Sequence, residues 1–259
     1  MASLVQLRFE DRMAFLELND PDRLNVLTRQ GLSCLEDCLE RVEAAGSEVR
    51  ALIVHAAGER AFCAGADVGD WSGYEAVEFG RDWIRTGHRV FARLAQLPQP
   101  VIGAVEGVAY GGGLELLAAC DIRIAGRAAR FAMPEARVGI VPGWSGTQRL
   151  ARQLPHAVFR QMLFTGRPIN AEHAYRIGFV GALAETGTAL AAARETADEI
   201  AKTGPVAVEV CKQMVNAAVG EGSESAIEAL AGSFVATTGD KAEGVASFKE
   251  KRVPNFVGR

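Results

Sequence analysis

An α/β fold with a helical C-terminal region is predicted by three features of the sequence. Short β-branched runs alternate with amphipathic helical stretches up to about residue 125, Gly-rich turns join them, and Ala-rich helical segments dominate after about residue 150. Strand–helix–strand alternation of this kind implies right-handed crossovers and a mainly parallel sheet.

The elements follow in chain order. Apolar runs at 4–9 and 13–18 flank Glu10, Asp11 and Arg12 and predict a β-hairpin, followed by a turn at Asn19-Asp20-Pro21-Asp22. Thr28 is the expected N-cap of a helix that carries Leu32, Leu35, Leu39 and Val42 at three- and four-residue spacing and stops at Gly46. Ala51-Leu52-Ile53-Val54 suits a strand buried on both faces. The Gly/Ala-rich loop at 58–73 is longer than a plain connection needs, a common mark of function. A single long helix is predicted over 75–97, with Phe79, Trp83, Val90, Phe91 and Leu94 inward and Pro98 and Pro100 ending it. A strand at 101–105, a Gly-rich turn, a helix at 112–120 and a strand at 122–125 come next. Helices are predicted over 155–164, 171–177, 188–201, 205–218, 223–237 and 240–248. The expected division is an α/β core at 1–195 and a helical region at 196–259, whose small residues suggest packing against another subunit.

Composition excludes several classes of function. Of 259 residues, 49% are apolar and 23% charged, the mix of an ordinary globular chain. With 28 basic against 32 acidic side chains the net charge is −4, so no basic excess exists to grip nucleic acid. Five irregularly spaced cysteines do not form a disulfide framework, and Arg8, Glu10, Asp11 and Arg12 leave no room for a signal-peptide apolar region in the first dozen residues. The stretch 101–120 approaches membrane length, but Glu106, Glu115 and five glycines mark it as strand, turn and helix. A soluble, cytoplasmic protein without membrane or nucleic-acid partners is expected.

Three stretches carry the chemistry: 60–68 (RAFCAGADV), 106–116 (EGVAYGGGLEL) and 131–150, which contains Met133-Pro134-Glu135 and Pro142-Gly143-Trp144-Ser145-Gly146-Thr147-Gln148-Arg149-Leu150. A glycine triplet between strand and helix turns the backbone sharply and lets main-chain N–H groups meet a phosphate or a developing oxyanion. Glu115, three residues past Gly112, falls in the first turn of that helix; alone, it would simply favour the helix dipole. Glu135 follows Pro134 among apolar neighbours, so its pKa is raised or its charge is paired, with Arg137 or Arg149 as the candidate partner. Two carboxylates at one water can divide the roles of base and acid.

Taken together, the three stretches resemble the crotonase (enoyl-CoA hydratase/isomerase) family, from Pro21-Asp22-Arg23-Leu24-Asn25-Val26-Leu27 to the tail Phe248-Lys249-Glu250-Lys251-Arg252. The resemblance implies a repeated β-β-α spiral core with mainly parallel sheets, and a C-terminal helical region forming a homotrimer or a dimer of trimers. It implies a coenzyme A thioester as substrate, with no permanently bound cofactor and no metal. An oxyanion hole of the Ala64 and Gly112 N–H groups is implied, together with Glu115 and Glu135 as the two catalytic glutamates; family members that only isomerise commonly lack one of that pair. Hydration of a trans-2-enoyl-CoA to a 3-hydroxyacyl-CoA is therefore the expected reaction, with Glu115 as base toward water and Glu135 as acid toward the α-carbon. The alternatives are double-bond isomerisation on the same fold and a non-catalytic or RNA-binding relative. Arg23, Leu24, Arg60, Ala66, Asp67 and Val68 are expected to line the CoA moiety, and Phe248 and Lys251 to reach a neighbouring subunit's CoA.

The sequence departs from the family pattern at Glu106, where Asn is usual, at Met133, where a polar residue is common, and at Trp144, where small residues are usual. Trp71, Trp83, Met133 and Trp144 are accordingly expected to shape the acyl pocket, with ordinary core packing the alternative. Thr147 breaks a nucleophile-elbow pattern at 143–147. Cys34 and Cys38 read as thiols on an amphipathic face rather than metal ligands, and none of the four histidines has a metal-site spacing or an assigned role.

Overall fold

The computed structural model describes residues 3–259, except for the side chains of 223–227. The chain divides into two compact units, one running to Glu209 and the other spanning Val210–Arg259. The boundary at 195/196 read from the sequence falls inside a helix, Ala189–Ala201.

The first unit begins with the expected hairpin. Strands β1 (Val5–Glu10) and β2 (Met13–Leu18) pair antiparallel, with Val5 opposite Leu18. Helix α1 (Arg29–Ala44) starts where Thr28 accepts the Gly31 N–H and buries Leu32, Leu35, Leu39 and Val42. From there the chain visits two sheets in turn. β3 (Ala51–Ala56) joins a large sheet and β4 (Ala61–Cys63) a small one; β5 (Val101–Val105) and β6 (Val108–Tyr110) repeat the step, as do β7 (Ile122–Gly126) and β8 (Arg130–Ala132). Between the visits lie α2 (Val68–Trp71), α3 (Ala76–Glu78), α4 (Arg85–Gln96) and α5 (Gly112–Ala118). This is a spiral β-β-α core of an α/β fold with mainly parallel sheets. After β8 come α6 (Gly146–Gln153), α7 (His156–Thr165), β9 (Ile169–Asn170), α8 (Ala171–Arg176), β10 (Ala182–Ala184) and α9 (Ala189–Ala201). The sheet orders are β1-β2-β3-β5-β7-β10 and β4-β6-β8-β9, parallel except at β1–β2 and β8–β9.

The central strands β2, β3 and β5 of the large sheet are buried on both faces, as near-continuous apolar strands require. Met13, Phe15, Ala51, Ile53, Ile102, Ala104 and Ile124 meet Ala189, Ala193 and Ala197 of α9, one helical turn apart. The alternate residues Ala14, Leu16, Leu52, Val54, Val101 and Val105 face the main core.

The long helix expected at 75–97 is interrupted. One α turn leads into a π-helical stretch at Phe79–Ile84 before α4 resumes. The wider turn changes the register, and Phe79, Trp83 and Ile84 all come to one cavity. In the second unit, α10 (Pro205–Ala218) ends, followed by α11 (Ser223–Ala236) and α12 (Gly239–Glu250). The tail folds back on α12: Asp240 accepts the N–H groups of Val257 and Gly258, and Arg252 pairs with Glu243. Among the described residues, no helix is long and apolar enough to cross a membrane.

Helix α5 approaches β4 so closely that a Cβ on Gly113 would sit 2.8 Å from the Cys63 Cβ and press on the Cys63 carbonyl. Gly113→Ala is expected to cost about 3 kcal/mol. Gly80→Ala, with open space around it, should stay within about 1 kcal/mol of the parent. Urea unfolding midpoints of the two variants check this; equal midpoints would contradict the close packing.

Candidate active site

Two glycines shape the entrance. Gly65 adopts φ +118° and Gly111 φ +50°, conformations that favour a residue without a side chain. Gly65 lets the 63–67 segment turn beside β6, and Gly111 starts α5 sharply. Gly112 must also lack a Cβ, which would lie 2.6 Å from the Trp144 ring.

One of the two donors assigned from the sequence is corrected by the geometry. The Ala64 N–H is already committed, donating to Leu24 O at 3.0 Å. Ala66 is bridged in parallel to Leu27, whose N–H goes to Gly65 O at 2.8 Å and whose carbonyl accepts from Asp67 N at 2.9 Å. Those flanking bonds turn the Ala66 N–H away from Leu27. Its nitrogen lies 3.5 Å from the point that a Gly112 Cβ would occupy. At the first position of α5, the Gly112 N–H has no acceptor within the helix. Ala66 and Gly112, rather than Ala64, bring two uncommitted N–H groups to a cavity of about 350 Å³.

Both carboxylates line that cavity. Glu115 is 2% exposed, and its Oε1 accepts from Trp144 N at 2.9 Å and Gly146 N at 2.7 Å. Burial raises its pKa; the N–H groups of Trp144, Gly146 and Gly143 and the charge of Arg149 pull it back. Glu135, 8% exposed, starts a 3₁₀ turn (Glu135–Val138), and burial first, then the charge of Glu115, pushes its pKa from 4.5 to about 7. Its Oε2 is buried with no hydrogen-bond partner among the described residues. The salt bridge to Arg137 or Arg149 does not form; Arg137 donates instead to Thr165 O at 2.7 Å. Apart from Arg137, the other side chains of the wall are apolar, with Trp71, Phe79, Trp83, Ile84, Ile140 and Trp144 among them.

The family profile described as "Enoyl-CoA hydratase/isomerase" matches residues 8–259. The chain is 38% identical to the short-chain-enoyl-CoA hydratase of Clostridium acetobutylicum, over 98% of each chain. It is 36% identical to the crotonyl-CoA hydratase of Syntrophomonas wolfei, covering 98% of this chain and 97% of that one. A crystal structure of enoyl-CoA hydratase from Bacillus anthracis superposes with a TM-score of 0.80 at 33% identity, covering 99% of this chain and 100% of that one. The chain belongs to the enoyl-CoA hydratase/isomerase family.

Coenzyme A thioesters are the substrates of that family, and most residues expected to hold one here are brought together. Arg23 forms an ion pair with Asp67, whose Oδ1 caps α2 through Gly69 N at 2.8 Å. Leu24, at φ +57°, supplies the carbonyl that holds Ala64. Arg60 donates to Pro21 O at 3.1 Å, so the 21–24 turn and the 60–68 segment form one wall, with Val68 exposed beside it. Phe248 and Lys251 belong to the second unit, where Phe248 is exposed and Lys251 ends α12 at φ +53°. Of the expected pocket residues, Trp71, Trp83 and Trp144 line the cavity; Trp83 and Trp144 lie 5.2 Å apart between ring centroids. Met133 is corrected: its side chain is fully buried in the main core, whereas the next residue, Pro134, does line the cavity. Glu106 lies away from the cavity and accepts from Ala189 N at 3.0 Å, at the start of α9. Phe79, Ile84 and Ile140 were not foreseen as lining residues; the first two reach the wall only through the π turn.

The raised pKa of Glu135 has a consequence for stability. The folded state holds its proton between pH 4.5 and about 7, so the contribution present at low pH is lost as pH rises through about 7. Glu135→Gln removes that loss and should gain up to about 3 kcal/mol over the parent between pH 5 and pH 8.5. Parallel thermal melts at the two pH values measure it, and a pH-independent difference would contradict a buried, proton-holding carboxyl.

Proposed function

We propose that this chain hydrates a trans-2-enoyl-CoA to the 3-hydroxyacyl-CoA. The observation that carries the reading is the pairing, at one cavity, of two buried glutamates with two uncommitted main-chain N–H groups. The relatives named as short-chain-enoyl-CoA and crotonyl-CoA hydratases add their support.

In this reading the thioester carbonyl oxygen sits between the Ala66 and Gly112 N–H groups, where enolate charge is stabilised as it forms. Glu115, its Oε1 held by two N–H donors, is the ionised base and takes a proton from water as the water oxygen bonds to C3. Glu135 carries the other proton and delivers it to C2, so both additions occur on one face of the double bond. The proton left on Glu115 returns to Glu135 through water before the next turnover. The acyl chain extends along Trp71, Trp83 and Trp144. The CoA moiety follows Arg23, Leu24, Ala66, Asp67 and Val68, with Arg60 near its phosphates. Phe248 and Lys251 serve the CoA of a neighbouring subunit, in a cytoplasmic homotrimer or dimer of trimers built on residues 196–259. Exposed Met214, Val215, Phe234 and Val235 are consistent with such assembly.

Loss of enoyl-thioester absorbance with crotonyl-CoA tests the reading. Glu115→Gln and Glu135→Gln should each lower kcat by about 10²- to 10⁴-fold. In the wild type kcat should fall as pH rises through about 7, because Glu135 must be protonated to act as the acid. Double-bond isomerisation that survives Glu135→Gln would replace hydration by the isomerase reading; saturable RNA binding without turnover would replace both.

A further inference from the structure

The segment that holds Glu115 contains an unusual residue for its conformation. Ser145 is 7% exposed and adopts φ +73°, ψ 10°, a left-handed backbone that a Cβ disfavours. That single turn lets the N–H groups on either side of it, from Trp144 and Gly146, converge on Oε1 of Glu115. Gly146 has its own reason to be glycine, since a Cβ there would lie 2.6 Å from the same oxygen.

What holds Ser145 in place comes from α4. Its hydroxyl lies 2.7 Å from Nδ1 of His88. The preceding residue, Gly87, leaves room for the Trp144 indole, whose Nε1 donates to Trp83 O at 3.4 Å and whose ring meets Phe91 at 5.4 Å between centroids. Consecutive residues of α4 thus receive consecutive side chains of the 144–145 pair.

We propose that His88 and Ser145 form a positioning pair, in which the histidine anchors the serine hydroxyl and so keeps the left-handed turn that aims two N–H groups at Glu115. The pair acts through the carboxylate and touches no substrate. It rests on the reading of Glu115 as the base. The charged groups that face Glu115 are Glu135, from its 3₁₀ turn, and Arg149, from α6; neither is altered by changing the pair.

His88→Ala and Ser145→Ala each remove the anchor but keep a Cβ at 145. Each should lower kcat for crotonyl-CoA about tenfold, from the left-handed penalty of an L residue, with KM within about twofold. The acid limb of kcat should move to higher pH, because losing N–H donors disfavours the ionised base. Adding Ser145→Gly to His88→Ala should restore most of the loss, since glycine enters this region without an anchor. Isotope-edited infrared spectra of ¹³C-glutamate-labelled protein, with Glu115→Gln identifying the band, read the titration of Glu115 without turnover. Its midpoint should rise in both alanine variants and return in the His88→Ala/Ser145→Gly protein. An unmoved midpoint, or no recovery with glycine, overturns the positioning pair. Absence of hydration by the wild type overturns the hydratase reading alone.

Discussion

A carboxylate taken out of water loses solvation that only nearby donors can replace, and the candidate site is organised around meeting that need for Glu115. Its Oε1 receives two main-chain N–H groups, from residues that flank a left-handed serine. Burial raises its pKa, and these N–H groups, with that of Gly143 and the charge of Arg149, pull it back. Glu135 has only its own N–H, and burial, with the charge of Glu115, pushes its pKa to about 7. The asymmetry between two similar side chains, and the division of labour proposed for them, come from the backbone around them.

The spiral topology puts these parts within reach of each other. Each visit to the small sheet ends at the same side of the molecule: β4 runs into the 63–67 segment, β6 into Gly111 and Gly112, and β8 into Pro134 and Glu135. Parallel neighbours β4, β6 and β8 therefore deliver the Ala66 N–H, the Gly112 N–H and the second carboxylate in adjacent positions. Close approach is what the glycines secure. Gly107 stands against the Arg60 carbonyl and Gly113 against that of Cys63, so β4 and α5 meet without intervening side chains. The precision of the site is a property of main-chain packing, which tolerates little adjustment.

Much of the architecture was legible because it has period and length. The hairpin, α1 with its Thr28 cap, and the strands at 51–56, 101–105 and 122–126 all carry patterns that burial on one or both faces explains. The small sheet was not legible as strands: β6 and β8 have three residues each, too few for an alternation to stand out. The π turn at 79–84 was hidden because its sequence continues an ordinary helical pattern. Glu115, Glu135 and Gly112 were visible as residue types in a spacing. Ala64 and Ala66 were not separable, since the choice depends on which N–H the Leu24 carbonyl, forty residues earlier, has already accepted. Met133 was not separable either: it stands next to the cavity-lining Pro134 in sequence, yet its side chain packs in the main core.

The departure from the family pattern at Trp144 then becomes intelligible. A tryptophan at 144 needs space, and the structure provides it from two directions, Gly87 on α4 and Gly112 on α5, each too close to the indole for a Cβ. The π turn supplies a third contact by turning Trp83 and its carbonyl toward the indole. With the ring wedged there, residue 145 is bound to turn left-handed to reach α6, and a non-glycine residue at that point requires an anchor that the neighbouring histidine provides. Trp144, Ser145, Gly87, His88 and the π turn thus form one connected arrangement. Its effect falls on Glu115, because the two N–H groups that this segment presents both donate to that buried carboxylate and oppose the rise in its pKa.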